Sequence, residues 1–64
     1  MMITKYSIDD VLNLTEDNTN WKVVRITICS DHTTNYMLRN ISGKELGMWW
    51  ENTEQKVSDT MVKK

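Results

Sequence analysis

The sequence predicts a small, mainly β domain built on an antiparallel meander of three to four strands, with a short N-terminal helix and a C-terminal helical turn. Segment 21–29 is dense in β-branched residues, as strands commonly are. Segment 35–51 holds two runs of aromatic and large apolar residues on either side of Ile41-Ser42-Gly43, the pattern of a β-hairpin. With 64 residues, the chain is expected to form one domain over residues 1–64.

The composition predicts a folded protein without a membrane segment. Apolar residues make up 39% of the chain and charged residues 27%, which is typical of globular domains. The net charge of −1 lacks the basic excess of most nucleic-acid-binding domains. The single cysteine cannot form an internal disulfide, no apolar run approaches the ~20 residues of a membrane span, and the first residues lack the apolar core of a signal peptide. We therefore expect a cytoplasmic protein.

Segment 7–14 is ambiguous between helix and strand. A helix is favoured because Ser7 would cap its N-terminus, and Asp9 and Asp10 would lie in its first turn. A strand is the alternative, since most of the apolar residues alternate, but Asp10 breaks that alternation. The polar segment 15–20 is predicted to be a loop.

Segment 21–29 is the clearest strand in the chain, and a polar run follows it. Its inward-facing residues are predicted to be Val24, Ile26 and Ile28. The opposite face would then carry Trp21, Val23, Arg25, Thr27 and Cys29. Because both connections to the hairpin strands are short, three successive antiparallel strands are expected.

The predicted hairpin has a three-residue loop, Ile41 to Gly43, in which Gly43 adopts the left-handed conformation and closes a type I turn with a bulge. This register pairs Asn40 with Lys44, Arg39 with Glu45, Leu38 with Leu46, and Tyr36 with Met48. By alternation, one face carries Tyr36, Leu38, Leu46, Met48 and Trp50, and the other carries Met37, Arg39, Glu45, Gly47 and Trp49.

Segment 52–64 has two interpretations. It could form a helix capped through Asn52 and Gln55, with Val57 and Met61 on one face. It could equally be a frayed tail.

Three short patterns resemble the strand layout of small SH3-like and Tudor-like barrels, including the very short barrel proteins encoded by bacteriophages. The patterns are Trp21-x-Val-x-x-Ile26, Tyr36-x-Leu-x-Asn-x-x-Gly43 and Trp49-Trp-Glu-x-x-Glu54. The resemblance covers roughly residues 20–55. It implies a barrel with a central strand at Tyr36–Asn40, a hairpin turn at Gly43, and the next strand with its closing turn at Trp49–Glu54. An open sheet with a packed helix is the alternative.

The candidate chemical groups predict no enzyme. Cys29 and His32 have the spacing of half a zinc site, but a closed structural site needs four ligands, and the chain has no other cysteine or histidine. There is no Gly-rich phosphate loop, and the adjacent carboxylates point apart. We therefore expect no catalytic residue, no metal and no cofactor.

The aromatic residues indicate a contact surface. Adjacent tryptophans on a strand face opposite sides, so if Trp50 and Tyr36 are in the core, Trp49 lies on the other face. An exposed tryptophan beside a methionine is typical of a partner-binding surface. The residues predicted to bind a partner are Trp49, Met37, Arg39, Trp21 and Arg25.

Two functions are compatible with this surface. The first is a non-enzymatic protein-interaction module; the resemblance extends it to a phage or mobile-element protein that binds and inhibits a host protein in the host cytoplasm. The second is a small nucleic-acid-binding barrel that stacks bases on Trp49 and Trp21 and places Lys22, Arg25 and Arg39 near phosphates. The near-zero net charge favours a protein partner. Self-association into a homo-oligomer is left open.

Overall fold

The computed structural model describes residues 4–43 and 46–64 and shows a five-stranded antiparallel sheet with one short helix. In chain order the elements are β1 (Val11–Leu14), β2 (Thr19–Ile28), β3 (Thr34–Asn40), β4 (Trp49–Thr53), α1 (Glu54–Thr60) and β5 (Met61–Lys63). The strand order across the sheet is β4-β3-β2-β1-β5, so β4 and β5 are its edges. The mainly β class and the antiparallel meander are confirmed.

The predicted N-terminal helix is wrong, and a β-turn occupies its first residues. The Asp10 N–H donates to the Ser7 carbonyl at 3.1 Å, and the Asp10 carboxylate accepts the Ser7 N–H at 2.8 Å. Asp9 has a φ of 74°, which no right-handed helix permits. The short aspartate side chain thus satisfies the backbone in a turn instead of capping a helix, and β1 starts at Val11.

A β-bulge in β2 reverses the predicted faces of the first half of that strand, up to Val24. Val23 pairs with Leu38 and Arg25 with Met37, which leaves Val24 as an extra residue without a partner. Before the bulge, odd-numbered residues face the core, and Val23 is fully buried. After the bulge, the even-numbered residues face the core instead. The inward placement is therefore confirmed for Ile26, which packs against the core, whereas Ile28 shares that face through its pairing with Thr34 but is wrong as a buried residue, since it is 45% exposed at the end of the strand. The predicted inward placement is also wrong for Val24, which is half-buried on the other face. Trp21 and Val23 were expected to face outward, but the bulge turns both of them into the core.

The hairpin register is wrong by four residues, but its faces are right. Leu38 pairs with Trp50 instead of Leu46, and Tyr36 pairs with Asn52 instead of Met48. Since four is an even number, Trp50 still shares a face with Leu38 and Tyr36. Leu46 and Met48, expected in the core, are instead 69% and 52% exposed. The expected pairings to Lys44 and Glu45 involve residues outside the described ranges.

Two glycines shape the long β3–β4 connection. Gly43 has the predicted positive φ, at 90°, but it does not form the bulge. The bulge is at Gly47, whose φ is also 90°: its N–H donates to the Asn40 carbonyl, and the Asn40 N–H donates to the Met48 carbonyl. This is the hydrogen-bond pattern of a bulge that begins at a left-handed glycine.

The core lies on one face of the sheet, under α1 and the N-terminal segment. Its buried apolar residues are Tyr6, Leu12, Trp21, Val23, Tyr36, Leu38, Val57 and Met61. The Tyr36 hydroxyl donates to Glu54 at 2.6 Å and accepts the Tyr6 N–H at 3.2 Å, so it joins the N-terminal segment to the start of α1. The two tyrosine rings pack edge to face at 5.2 Å.

The C-terminal segment is ordered into the predicted helix and an additional strand. Thr53, not Asn52, caps α1, with its hydroxyl accepting the Lys56 N–H at 3.3 Å. Val57 is buried as expected, whereas Met61 lies beyond the helix as the first residue of β5. β5 pairs with β1 and thereby adds the second edge of the sheet. Within the described residues no helix is long and apolar enough to cross a membrane.

Candidate functional site

The face of the sheet turned away from the core is the candidate site, and we call it the outer face. The register defines two cross-strand rows on it, because paired residues in neighbouring strands point the same way. The first row runs Lys22, Arg39, Trp49, and the second runs Arg25, Met37, Glu51. Val24, the extra residue of the bulge, lies between the rows.

Trp49 is the largest exposed apolar side chain of the outer face. It is 55% exposed and lies at the start of the edge strand β4. The Arg39 guanidinium lies over its ring, with the carbon 5.2 Å from the ring centroid. This cation–π contact, worth roughly 0.5–1 kcal/mol at an exposed site, favours one orientation of the indole.

A shallow groove of about 440 Å³ adjoins the first row of the outer face. Its lining combines two cations with apolar side chains: Lys22, Val24, Arg39, Asn40, Ile41, Leu46 and Gly47. Ile41 is 40% exposed and Leu46 is 69% exposed. Met48 and Trp49 are also more than half exposed, but they line a different groove, between α1 and the strands.

The structure brings together four of the five residues predicted to bind a partner. The predicted hairpin faces correctly placed three of them on the outer face: Met37, Arg39 and Trp49. Arg25 lies on the same face because it pairs with Met37. Trp21 is wrong as a surface residue: it is 7% exposed, faces the core, and donates its Nε1–H to the Thr19 hydroxyl at 2.9 Å. The bulge causes this difference, because it puts the two halves of β2 in opposite phase.

The groove itself could not be found from the sequence. Val24 and Leu46 were both expected inside, and Ile41 was assigned to a tight turn. Of the two cations that line it, the sequence placed only Arg39 on the correct face, because the predicted alternation of β2 turned Lys22 inward together with Val24.

The exposed edge of β4 offers few free backbone groups. Because Asn40 and Met48 form a hydrogen-bonded pair, alternation points the N–H and C=O groups of Trp49, Glu51 and Thr53 away from β3. The Thr53 N–H is already taken by the Asn52 side chain at 2.9 Å. A strand added at this edge could therefore pair with both the N–H and the C=O of only two residues, Trp49 and Glu51.

Two other concave surfaces lie on the described part of the chain. A polar cleft of about 670 Å³ lies between the β1–β2 loop and the start of the β3–β4 connection. An apolar groove of about 400 Å³ lies between α1 and the strands, and the lining includes all three tryptophans. Of the three, Trp21 is mostly buried in the core.

The residues considered for metal or nucleophilic chemistry do not form a site. Cys29 directly follows β2, and its sulfur accepts the Asn35 side-chain amide N–H at 3.8 Å. His32 occupies the left-handed position of the β2–β3 turn, with a φ of 70°, and is exposed. Among residues 4–43 and 46–64, no group of three or more histidine, cysteine, aspartate or glutamate side chains could hold a metal ion.

No protein-family model, no curated protein and no solved structure matches the chain. The function must therefore be inferred from the surface itself.

Proposed function

We propose that this protein is a non-enzymatic protein-interaction module that contacts its partner through the outer face around Trp49. The observation that carries the proposal is the exposure of a tryptophan on an edge strand, with the guanidinium of Arg39 over its ring and Arg39 also lining the groove that holds Ile41 and Leu46. Exposed apolar side chains gathered in one patch mark contact sites on small proteins.

The energy available from this patch is sufficient for a specific contact. Tryptophan and arginine are the residue types most often found where a few side chains dominate binding. Burying the exposed half of Trp49, roughly 100 Å², is worth about 2.5 kcal/mol at 25 cal/mol per Å². Because the contact with Arg39 favours one orientation of the indole, it reduces the side-chain entropy lost when a partner binds.

The nucleic-acid alternative has one observation in its favour and two against it. Lys22, Arg25 and Arg39 do lie on the same face as Trp49. However, Trp21 is buried, so one of the two proposed stacking surfaces is missing, and Arg39 covers the ring of Trp49. We expect no appreciable binding of single- or double-stranded DNA near physiological salt. Micromolar binding that weakens steeply as salt rises would favour this alternative instead.

We also propose that the sheet curls toward a small barrel of the SH3-like kind that the sequence resembles. The connection between its edges supports this: β4 ends at Thr53 and β5 begins at Met61, with only the seven residues of α1 between them. Such a helix spans about 10 Å, whereas the edges of a flat five-stranded sheet lie about 19 Å apart. Nuclear Overhauser contacts between β4 and β5 would support a barrel, and their absence would favour an open sheet.

The same resemblance is the basis for proposing that the protein comes from a phage or mobile element and inhibits a host protein in the cytoplasm. Expression in bacterial cells tests this, because an inhibitor should slow growth. Replacing Trp49 with alanine should then relieve the effect while the folded protein accumulates to the same level. Equal growth with and without the protein would argue against inhibition.

Cross-linking in a bacterial lysate, followed by mass spectrometry, tests the interaction itself. A specific partner should be captured by the wild-type chain and lost with Trp49→Ala. Ile8→Ala is the matched control, since Ile8 is also 50% exposed but lies in the N-terminal turn. If both variants capture the same proteins as the wild type, the outer face is not the contact surface.

A further inference from the structure

We propose that the outer face takes an acidic partner segment, in which an apolar side chain enters the groove and flanking carboxylates meet Lys22 and Arg39. This inference rests on the proposed function and adds the chemistry of the partner. It follows from the distribution of charge, from the lining of the groove and from the edge of β4.

The charge of the outer face differs in sign from that of the whole chain. The chain carries a net charge of −1, with nine acidic and eight basic residues. The two cross-strand rows carry three cations, Lys22, Arg25 and Arg39, and one carboxylate, Glu51. With Asp9, which pairs with Lys22, these side chains comprise three cations and two carboxylates, a small positive excess on the face that also exposes Trp49. A segment with several carboxylates would complement this face and would be guided to it.

The groove places two neighbouring cations beside an apolar surface. Lys22 and Arg39 are cross-strand partners, and both line the groove with Val24, Ile41 and Leu46. An apolar side chain of the partner would be covered by these three residues, while acidic neighbours would reach the cations. This arrangement fits a segment that contains both kinds of residue better than one that is only acidic.

The ion pair already present at the groove would not prevent this contact. The Lys22 ammonium lies 3.7 Å from the Asp9 carboxylate, and the two side chains are 42% and 77% exposed. Exposed pairs of this kind contribute little stability. A partner carboxylate could therefore replace Asp9 at small cost.

Two alternative occupants fit the face less well. A single-stranded nucleic acid would need aromatic rings free for stacking, but Arg39 covers Trp49 and the groove is lined by aliphatic side chains. A strand added to β4 would find the full backbone groups of only Trp49 and Glu51, and Glu51 would repel its acidic residues. Side-chain contact across the outer face is thus the arrangement that the structure favours.

Selection from a random-peptide display library on the immobilised full-length chain, at near-physiological salt, tests the inference. The selected peptides should be enriched in apolar residues flanked by aspartate or glutamate. Synthetic copies should lose affinity by about tenfold or more with Lys22→Gln combined with Arg39→Gln. Lys56→Gln, which removes a cation from α1, should change the affinity less than about twofold.

The possible outcomes separate this inference from the proposed function. Selected peptides without an acidic excess, whose binding is nevertheless lost with Trp49→Ala, would overturn the acidic segment and leave the contact surface standing. Peptides unaffected by any outer-face variant would overturn both. Tighter binding of a short oligothymidylate than of any selected peptide would overturn the inference in favour of nucleic acid. A selection that enriches no peptide would also overturn it.

Discussion

Replacing Tyr36 with phenylalanine removes a buried oxygen atom that joins the N-terminal segment to the start of α1, where the Lys5 N–H also donates to the Glu54 carboxylate at 3.3 Å. That hydroxyl donates to the Glu54 carboxylate at 2.6 Å and accepts the Tyr6 N–H at 3.2 Å. The tyrosine has no exposed surface, so water cannot easily replace it, although Glu54 is half-buried and can recover some hydration. Losing one charge-assisted hydrogen bond and leaving a buried N–H without a partner should cost about 2 to 3 kcal/mol.

For a domain of this size, such a loss lowers the melting temperature by roughly 10 °C or more. Urea denaturation followed by circular dichroism would measure the free energy of unfolding, and a double-mutant cycle with Glu54→Ala would isolate the contact. We expect a coupling energy of about 1 kcal/mol or more between the two positions. A loss below about 0.5 kcal/mol for Tyr36→Phe, or zero coupling with Glu54, would refute the role assigned to this hydroxyl.

Three further predictions follow from the same structure. Gly43→Val should cost about 1 kcal/mol or more, because φ is 90° and a Cβ atom would lie 3.0 Å from the Thr19 methyl; coincident thermal melts would contradict this. Trp50→Ala, at a half-buried position packed on the core, should cost about 2 to 4 kcal/mol, whereas Trp49→Ala should cost less than about 1 kcal/mol; chemical denaturation that reverses this order would mean the faces are wrong. Burial, reinforced by the hydrogen bond to Glu54, raises the pKa of Tyr36 above its ordinary value of 10.0. Its contribution to stability is therefore present below pH 10 and lost as the pH rises through the folded-state pKa, and alkaline titrations of Tyr36→Phe should lack this component.

The sequence predicted the strands that have strong local patterns. The β-branched run of β2 and the aromatic runs of β3 and β4 are sufficient to specify strands in any compact fold. The faces of the hairpin were also predictable, although its register was not. Alternation depends only on whether the register shift is odd or even, and the four-residue error left Trp49 and Trp50 on their correct sides.

The errors occur where tertiary contacts decide the local structure. Nothing in the composition of β2 marks Val24 as a bulge, yet this one residue moves Trp21 from the expected surface into the core. The aspartates near the N-terminus suit a turn as well as a helix start, and pairing of β1 with β2 and β5 selects the turn. β5 has three residues, which is too few for a recognisable period.

The most direct test of the outer face as the partner-binding surface uses the three tryptophan indole N–H signals in a nitrogen-15 correlation spectrum. The full-length chain would be titrated with the partner captured by cross-linking, or with a selected acidic peptide. Trp49 is exposed on the outer face, whereas Trp21 donates its indole N–H to Thr19 and Trp50 packs on the core. We predict that the Trp49 signal shifts or broadens with the Arg39 and Met37 amides, while the Trp21 signal stays in place. Movement of the Trp21 and Trp50 signals with the Arg39 and Met37 amides unchanged would contradict the account and place the contact at the groove beside α1, which all three tryptophans line.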